Sequence, residues 1–302
     1  MWVEIAVAGS VLQTTRNALA RSLSDRISPA LNSWSRFAFN LPFSLALVGV
    51  LVVLAPLPRL SLAFYGFCLA TALSQLLGNV ALVSAFRYAN FAESIALHKL
   101  EVVFAALLGV IVFHEEPSAL GWLGILLCSV GVLLMNLGRE RGPVGWRRAF
   151  HLDRGAGLAL LCALLLVLAS FMLKEATSVF AFLNPHVGSG RFEAAAFTLF
   201  HTTWMEVLIL SVYLWRRSPG EFQQVPRHWR RMALIGVSGF AGSLCWFWAF
   251  SLTLVVYVKA VGQLESVFAV VLALVVWRER EVVRQLPAVA LLVLGIVVVL
   301  FS

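Results

Sequence analysis

Residues 78–138 and 242–302 are two copies of one apolar segment, aligned at a constant offset of 164 positions without a gap. Gly78 falls on Gly242, Ala85-Phe86 on Ala249-Phe250, and Leu100-Glu101 on Leu264-Glu265. Val103-Phe104-Ala105 falls on Val267-Phe268-Ala269, Glu115 on Glu279 and Gly131 on Gly295. A chain that repeats itself folds as two similar units, and residues common to both copies mark positions that the fold uses twice. In membranes, such a duplication places a binding site where the two repeats meet.

The apolar runs identify the solvent. Of 302 residues, 61% are hydrophobic and only 13% charged, with a mean hydropathy of +0.90. A soluble domain of this length needs far more polar surface, so the chain is solvated by lipid. Runs of about 20 apolar residues recur, the length at which a helix crosses a bilayer. Long runs rather than short alternating ones exclude an outer-membrane barrel. Ten spans are read, at roughly 3–23, 30–54, 61–84, 91–113, 118–138, 155–178, 193–215, 231–252, 255–277 and 283–301. Glu4, Gln13 and Arg16 interrupt the first, and Arg36 and Pro42 the second, which argues for burial of both in a bundle.

The N-terminus has neither a basic leader nor a clean apolar core, so no cleavable signal is expected. Cys68, Cys128, Cys162 and Cys245 all fall inside spans, without metal spacing or a disulfide framework, and read as packing residues.

The hydrophilic stretch 139–154 divides the chain into a first repeat, 1–138, and a second, 155–302, with five spans in each. An odd number of spans per repeat inverts the second copy. The expected fold is therefore an all-α integral membrane protein of ten transmembrane helices, arranged as two inverted five-helix repeats. Glu115 and Glu279 would then lie on opposite membrane faces. Inverted repeats have two near-equivalent arrangements, one open to each side, and exchange between them is alternating access. The stretch 179–190, with its Asn-Pro and Gly-Ser-Gly turn signals, reads as a loop.

The net charge of +8 is not a nucleic-acid signal, because its cations collect in short loops on one side. Arg139, Arg141, Arg147, Arg148, Arg216, Arg217, Arg227, Arg230 and Arg231 all fall there, against Arg59 and Arg191 on the other. The positive-inside rule places that basic side in the cytoplasm and both termini outside. Trp2, Trp122, Trp146, Trp215, Trp229 and Trp277 sit near span ends, as interfacial anchors do.

The two repeat endings, LEVVFAALLGVIVFHE and LESVFAVVLALVVWRE, are each followed by a last span with a late glycine, Gly131 or Gly295. With TTRNALARSLSDRISP leading to Arg36-Phe37 near the start, the chain resembles the ten-span drug/metabolite transporters of the EamA type. The resemblance implies a metabolite carrier and points to amino acids and related compounds. That family usually carries proline where Glu101 and Glu265 stand. Its members are generally described with both termini in the cytoplasm, opposite to the charge count.

Polar residues inside the apolar runs are the candidate site. Glu101 and Glu265 lie near the middle of the fourth and ninth spans, where a charge costs about 2.5–3.5 kcal/mol on insertion scales. The chain accepts that cost twice at one register. Either the two carboxylates face a water-filled cavity, where they titrate or bind a cation, or they are a buried structural pair. On continuous helices, His98 shares the face of Glu101. Glu93, Leu97 and Glu101 form one stripe, and Tyr257, Val261 and Glu265 its mate. Lys99 and its equivalent Gln263 point elsewhere, Gln263 sharing a face with Lys259, which either joins the cavity or snorkels to the interface. Asn32, Arg36 and Asn40 form a stripe of the second span. Arg16 and Asn17 sit in the first, and a guanidinium there suits carboxylate or phosphate. His201, Thr202, Thr203 and Glu206 make a polar patch in the seventh span. Gln75 and Asn79 share a face of the third. Trp246 and Trp248 lie inside the eighth, as pocket walls or as packing.

Nothing supports ATP binding or catalysis. The cluster Gly188-Ser189-Gly190 lacks the lysine and spacing of a P-loop, and HExxH, GxSxG and paired cysteines are missing. No cofactor or metal is expected. The expected partners are a small-molecule substrate, membrane lipid and, as coupling ion, protons, with no nucleic acid. The sequence favours a secondary transporter of the inner membrane for a small zwitterion or organic anion. An exchanger or flippase for phosphate-bearing substrates and a non-transporting accessory subunit are the alternatives.

Overall fold

The computed structural model describes residues 1–24, 26–85, 97–137, 154–185, 191–275 and 280–302. Glu93, Glu279, the 139–153 connection and the Gly188-Ser189-Gly190 cluster lie outside them. Every regular element among the described residues is helical. The α-helices are α1 (Trp2–Ser24), α2 (Pro29–Ala38), α3 (Leu41–Leu54), α4 (Leu62–Ala85), α5 (Glu101–Ile111) and α6 (Ala119–Leu137). They continue as α7 (Arg154–Leu183), α8 (Arg191–Arg217), α9 (Val225–Leu252), α10 (Val255–Gly262), α11 (Leu264–Val275) and α12 (Leu286–Leu300). Six described segments are long and apolar enough to cross a membrane: Pro29–Leu54, Leu62–Leu82, Arg154–Leu183, Arg191–Arg217, Pro219–Leu252 and Val283–Leu300. Glu101–Ile111 and Ala119–Met135 are apolar but shorter.

Three of the expected spans are broken helices, the fourth breaking at Lys99-Leu100. The second divides into α2 and α3 at Phe39-Asn40, because Pro42 enters the first turn of α3 without an N–H. Phe39 closes α2 by donating its N–H to the Phe37 and Ser35 carbonyls. Ser28 opens α2, accepting the Leu31 N–H at 3.1 Å, with Pro29 behind it. The ninth divides into α10 and α11 at Gln263. The expected loop at 179–190 begins later than its turn signals suggest. Helix α7 runs on to Leu183, since Val179-Phe180-Ala181-Phe182-Leu183 contains no breaker before Asn184-Pro185. The Asn184 amide then takes over the backbone's hydrogen bonding, accepting from Arg59 N at 2.6 Å and donating to Arg59 O at 2.9 Å.

The chain forms two compact units, Met1–Leu73 with Met172–Leu252 and Ser74–Phe171 with Thr253–Ser302, whose boundaries fall inside α4 and α7. Each draws on both halves of the sequence.

In the first unit, α1 and α9 run antiparallel over small residues. Gly9 meets Cys245 and Trp246, Gly242 meets Leu12 and Gln13, and Gly239 meets Arg16. Its apolar core has two parts. Phe64, Cys68, Phe180 and Phe197 fill one, with the last two rings stacked at 5.0 Å. Leu23, Leu31, Leu214 and Met232 fill the other, where Trp34 Nε1 donates to Ser211 Oγ at 2.8 Å.

In the second unit, α6 and α12 also cross antiparallel. Gly124 meets Val299, and Gly131 meets Leu292. A Cβ on Gly131 would stand 2.7 Å from Leu292 N, and one on Gly295 would stand 2.5 Å from Cys128 N. Under the 164-residue offset Gly131 becomes Gly295 and Cys128 becomes Leu292, so the two contacts exchange with one another. Such exchange is what a two-fold relation between copies produces. Helix α5 ends in a left-handed residue, His114 at φ 53°, and Glu115 N closes back on Gly109 O at 2.8 Å.

Gly131→Val and Gly295→Val each force backbone apart and should destabilise the protein by about 3 kcal/mol. Gly157→Ala, with open space around it, should be neutral. Thermal unfolding in detergent measures all three.

Candidate functional site

The second unit carries two helix interruptions at one repeat register. Lys99-Leu100 form a turn before α5, with Leu100 N donating to Leu97 O at 3.1 Å. Gln263 alone separates α10 from α11, its N–H donating to Ala260 O at 3.1 Å. Lys99 and Gln263 are equivalent under the offset. Gly262 weakens the helix beside one break. Lys99 and Leu100 are good helix formers, so the other is held by tertiary contacts.

These interruptions correct the helical-wheel expectation. Lys99 and Gln263 do not point away from the carboxylates, because each sits in a turn that redirects its side chain. Lys99 Nζ lies 4.0 Å from Glu265 Oε2, and Gln263 Nε2 donates to Glu101 Oε1 at 3.4 Å. The two contacts are the same contact under the repeat relation. Glu101 and Glu265 fall in the first turns of α5 and α11, where the helix dipole favours an anion by about 0.3–1 kcal/mol.

Lys259 resolves the alternative left open by the sequence. It turns inward and donates from Nζ to Glu101 Oε2 at 2.8 Å, with 14% and 13% of the two side chains exposed. Its position in the first copy is Ile95, so this bond has no counterpart. His98 Nδ1 approaches Cys162 Sγ at 3.6 Å, and Asn79 is half-buried on α4 in the same unit. Gln263 is 1% exposed, and its Oε1 has no hydrogen-bond partner among the described residues.

Tyr257 is a positioning residue. Its hydroxyl accepts the Ser118 N–H at 3.1 Å at the start of α6. The Glu115 carboxylate accepts the Val255 N–H at 2.8 Å and so caps α10. The sequence marked Glu115 as duplicated but not as a cap, because nothing in a single segment announces a partner 140 residues away.

Gln75 also lies in the second unit, and the other described candidates belong to the first. Arg16, 7% exposed, holds Asn17 Oδ1 through Nε at 3.2 Å and Nη2 at 2.8 Å. Arg36 lies 4.9 Å from the Phe37 ring centroid, and Gly239 brings α9 against both arginines. Trp246 Nε1 donates to Gln13 Oε1 at 3.0 Å, which ties α9 to α1. Asn40 is 2% exposed at the α2–α3 break. His201 is boxed by Phe64, Tyr65 and Phe200, with Nδ1 2.8 Å from Phe197 O.

No curated protein sequence matches the chain. Among 29 matching chains of solved structures, a crystal structure described only as that of a protein superposes with a TM-score of 0.70 at 18% identity. It covers 98% of this chain and 95% of its own, a likeness of fold. The pattern of the EamA-like transporter family matches residues 1–137 and 153–301, so the chain belongs to that family of membrane transporters.

Proposed function

We propose that the chain is a secondary transporter of the inner membrane that moves a small zwitterionic metabolite by alternating access. The carrying observation is the network of Glu101, Lys259, Gln263, Lys99 and Glu265 around two helix breaks at one repeat register. Broken helices with polar groups at their ends are how membrane transporters build substrate sites away from lipid. Two carboxylates and two lysines already cancel within the network. A zwitterion substitutes for these contacts one for one, its ammonium taking a carboxylate and its carboxylate taking a lysine. A singly charged substrate leaves one buried group unpaired, which is expensive in such a setting. His98, Asn79 and the free acceptor of Gln263 supply hydrogen bonding around it.

Ten crossings in two inverted repeats, 1–138 and 155–302, fit this reading. The antiparallel exchange of contacts between α6 and α12 supports a two-fold relation lying across the helices. In the first unit, Arg16 and Arg36 flank Gly239, which favours organic anions, phosphate-bearing ones included, as the second substrate class.

Lys259→Met leaves the Glu101 carboxylate buried without its cation and should cost about 3–5 kcal/mol. The double variant Glu101→Gln with Lys259→Met should recover most of that loss, read as thermal unfolding in detergent. Glu101→Gln and Glu265→Gln alone, which keep an acceptor oxygen for the neighbouring lysine, should lower the unfolding temperature yet stay folded, and should lose saturable uptake of zwitterionic amino acids in proteoliposomes. Wild-type uptake by both would make the network purely structural.

The basic loops 139–154 and 216–231 are assigned to the cytoplasm. Arg147→Cys and Arg227→Cys, in a background lacking the four native cysteines, should resist an impermeant thiol reagent in intact cells and react after permeabilisation. Labelling of both from outside reverses the orientation.

A further inference from the structure

Helix α8 carries a row of buried oxygens that the substrate site does not use. Thr198, Thr202 and Glu206 recur every four residues and therefore lie on one stripe. They are 0%, 1% and 2% exposed. Thr198 Oγ1 and Glu206 Oε1 have no hydrogen-bond partner among the described residues, and the Thr202 hydroxyl has only the Cys68 thiol of α4 beside it. This is unusual for the chain's own hydroxyls. Thr14, Thr15 and Thr71 each donate to the carbonyl four residues back. Thr198 and Thr202 sit in a helix interior, where the same bond is available, and do not make it. Helix α8 packs on α2 and α3, and at the break between them stands Asn40, 2% exposed with Oδ1 likewise unpartnered. Arg36, four residues before Asn40, acts electrostatically on Glu206.

Three buried oxygens without partners, and a Thr202 hydroxyl with only a weakly bonding thiol beside it, call for something that donates to them, since an unpaired buried polar group costs about 1–3 kcal/mol. Water supplies donors wherever a polar site offers two to four partners. A metal cation fits poorly. The α8 oxygens are spaced about 6 Å apart along the axis, at 1.5 Å per residue, so they cannot close one coordination shell. The fixed charge of Arg36 also opposes a second cation beside Glu206. A proton needs only one carboxylate and a hydrated route to it.

We infer that Glu206 is the proton-loading site of this transporter, reached along a file of water-binding oxygens formed by Thr198, Thr202 and Asn40. The inference rests on the transport reading above and names its coupling site. Glu206 takes one proton from one compartment to become a carboxylic acid and returns it to the other. While charged it is stabilised electrostatically by Arg36, and protonation removes that interaction. The titratable neighbours are few. Helix α2 contributes Arg36, with Arg16 of α1 beside it across Gly239, α4 contributes Tyr65 and Cys68, and α7, which stacks Phe180 on Phe197 of α8, carries Lys174 and Glu175. His201 is on α8 itself, α3 has no titratable residue, and the buried half of α9 has only Cys245. The file starts in the Arg191 half of α8 and ends at Glu206, roughly 16 Å from the Arg217 end at helical rise.

Two measurements test this. Infrared difference spectra of the purified protein between acid and alkaline pH should contain a carboxylic-acid band that Glu206→Gln removes and that Glu101→Gln and Glu265→Gln keep. The band requires no substrate and so does not depend on the transport reading. In proteoliposomes, Glu206→Gln should retain exchange of labelled amino acids between equal pools and lose their accumulation driven by a pH gradient. Thr202→Val, which removes one station, should slow gradient-driven accumulation and leave exchange unchanged. A band that survives Glu206→Gln, or gradient-driven accumulation at the wild-type rate in that variant, overturns the inference. A wild-type protein that loses the band with Glu206→Gln but exchanges no amino acid keeps the proton site and overturns the substrate reading instead.

Discussion

An interrupted helix in an apolar medium leaves backbone groups that nothing in lipid can satisfy, and the second compact unit is organised around two such interruptions. The breaks at Lys99-Leu100 and Gln263 survive because charged and amide side chains gather at them. In turn, Glu101 and Glu265 are tolerable there because each opens a new helix whose dipole favours an anion. Breaks and carboxylates stabilise one another, and removing either leaves the other costly. The surrounding latches hold this arrangement in place. Glu115 caps α10, and Tyr257 reaches from α10 to the start of α6.

Close backbone approach supplies the rest. In lipid, helix association gains little from burying apolar side chains, and small residues compensate by letting backbones touch. Gly124, Gly131 and Gly295 do this for α6 and α12, and Gly9, Gly239 and Gly242 do it for α1 and α9. The same device brings Arg16 and Arg36 against α9, each side chain 3.6 Å from where a Cβ on Gly239 would stand.

The parts legible in the sequence were those with local causes. Apolar runs marked the helices, and Pro29, Pro42 and Asn184-Pro185 marked starts and stops by well-defined chemistry. The duplication picked out Glu101, Glu265, Gly131 and Gly295, all of which the structure uses in contacts. What could not be read was the break before α5. Lys99 and Leu100 favour helix, so a wheel drawn through them puts Lys99 on the wrong face. Lys259 shows the same limit, since a lysine near a span end snorkels or turns inward according to what its neighbours offer. Here the neighbour is Glu101, which lies 158 residues earlier. Thr198 looks like an ordinary helix hydroxyl until the structure leaves it without a partner.

The two halves of the network are copies, yet they are not equal, and the inequality bears on the proposal made for them. Lys99–Glu265 and Gln263–Glu101 are the same contact drawn twice, but one copy has a cation where the other has an amide. Lys259 then supplies Glu101 with the cation that Gln263 withholds, from a position that is Ile95 in the first copy. The duplicated frame thus contains a Lys259–Glu101 pair at 2.8 Å and a Lys99–Glu265 pair at 4.0 Å. Coulomb attraction falls with separation, so the Glu265 pair is the easier of the two to part. Under the zwitterion proposal the pair to be parted is therefore Lys99–Glu265, with the substrate's ammonium expected at Glu265 and its carboxylate at Lys99, and the Lys259–Glu101 pair is expected to stay closed at the start of α5.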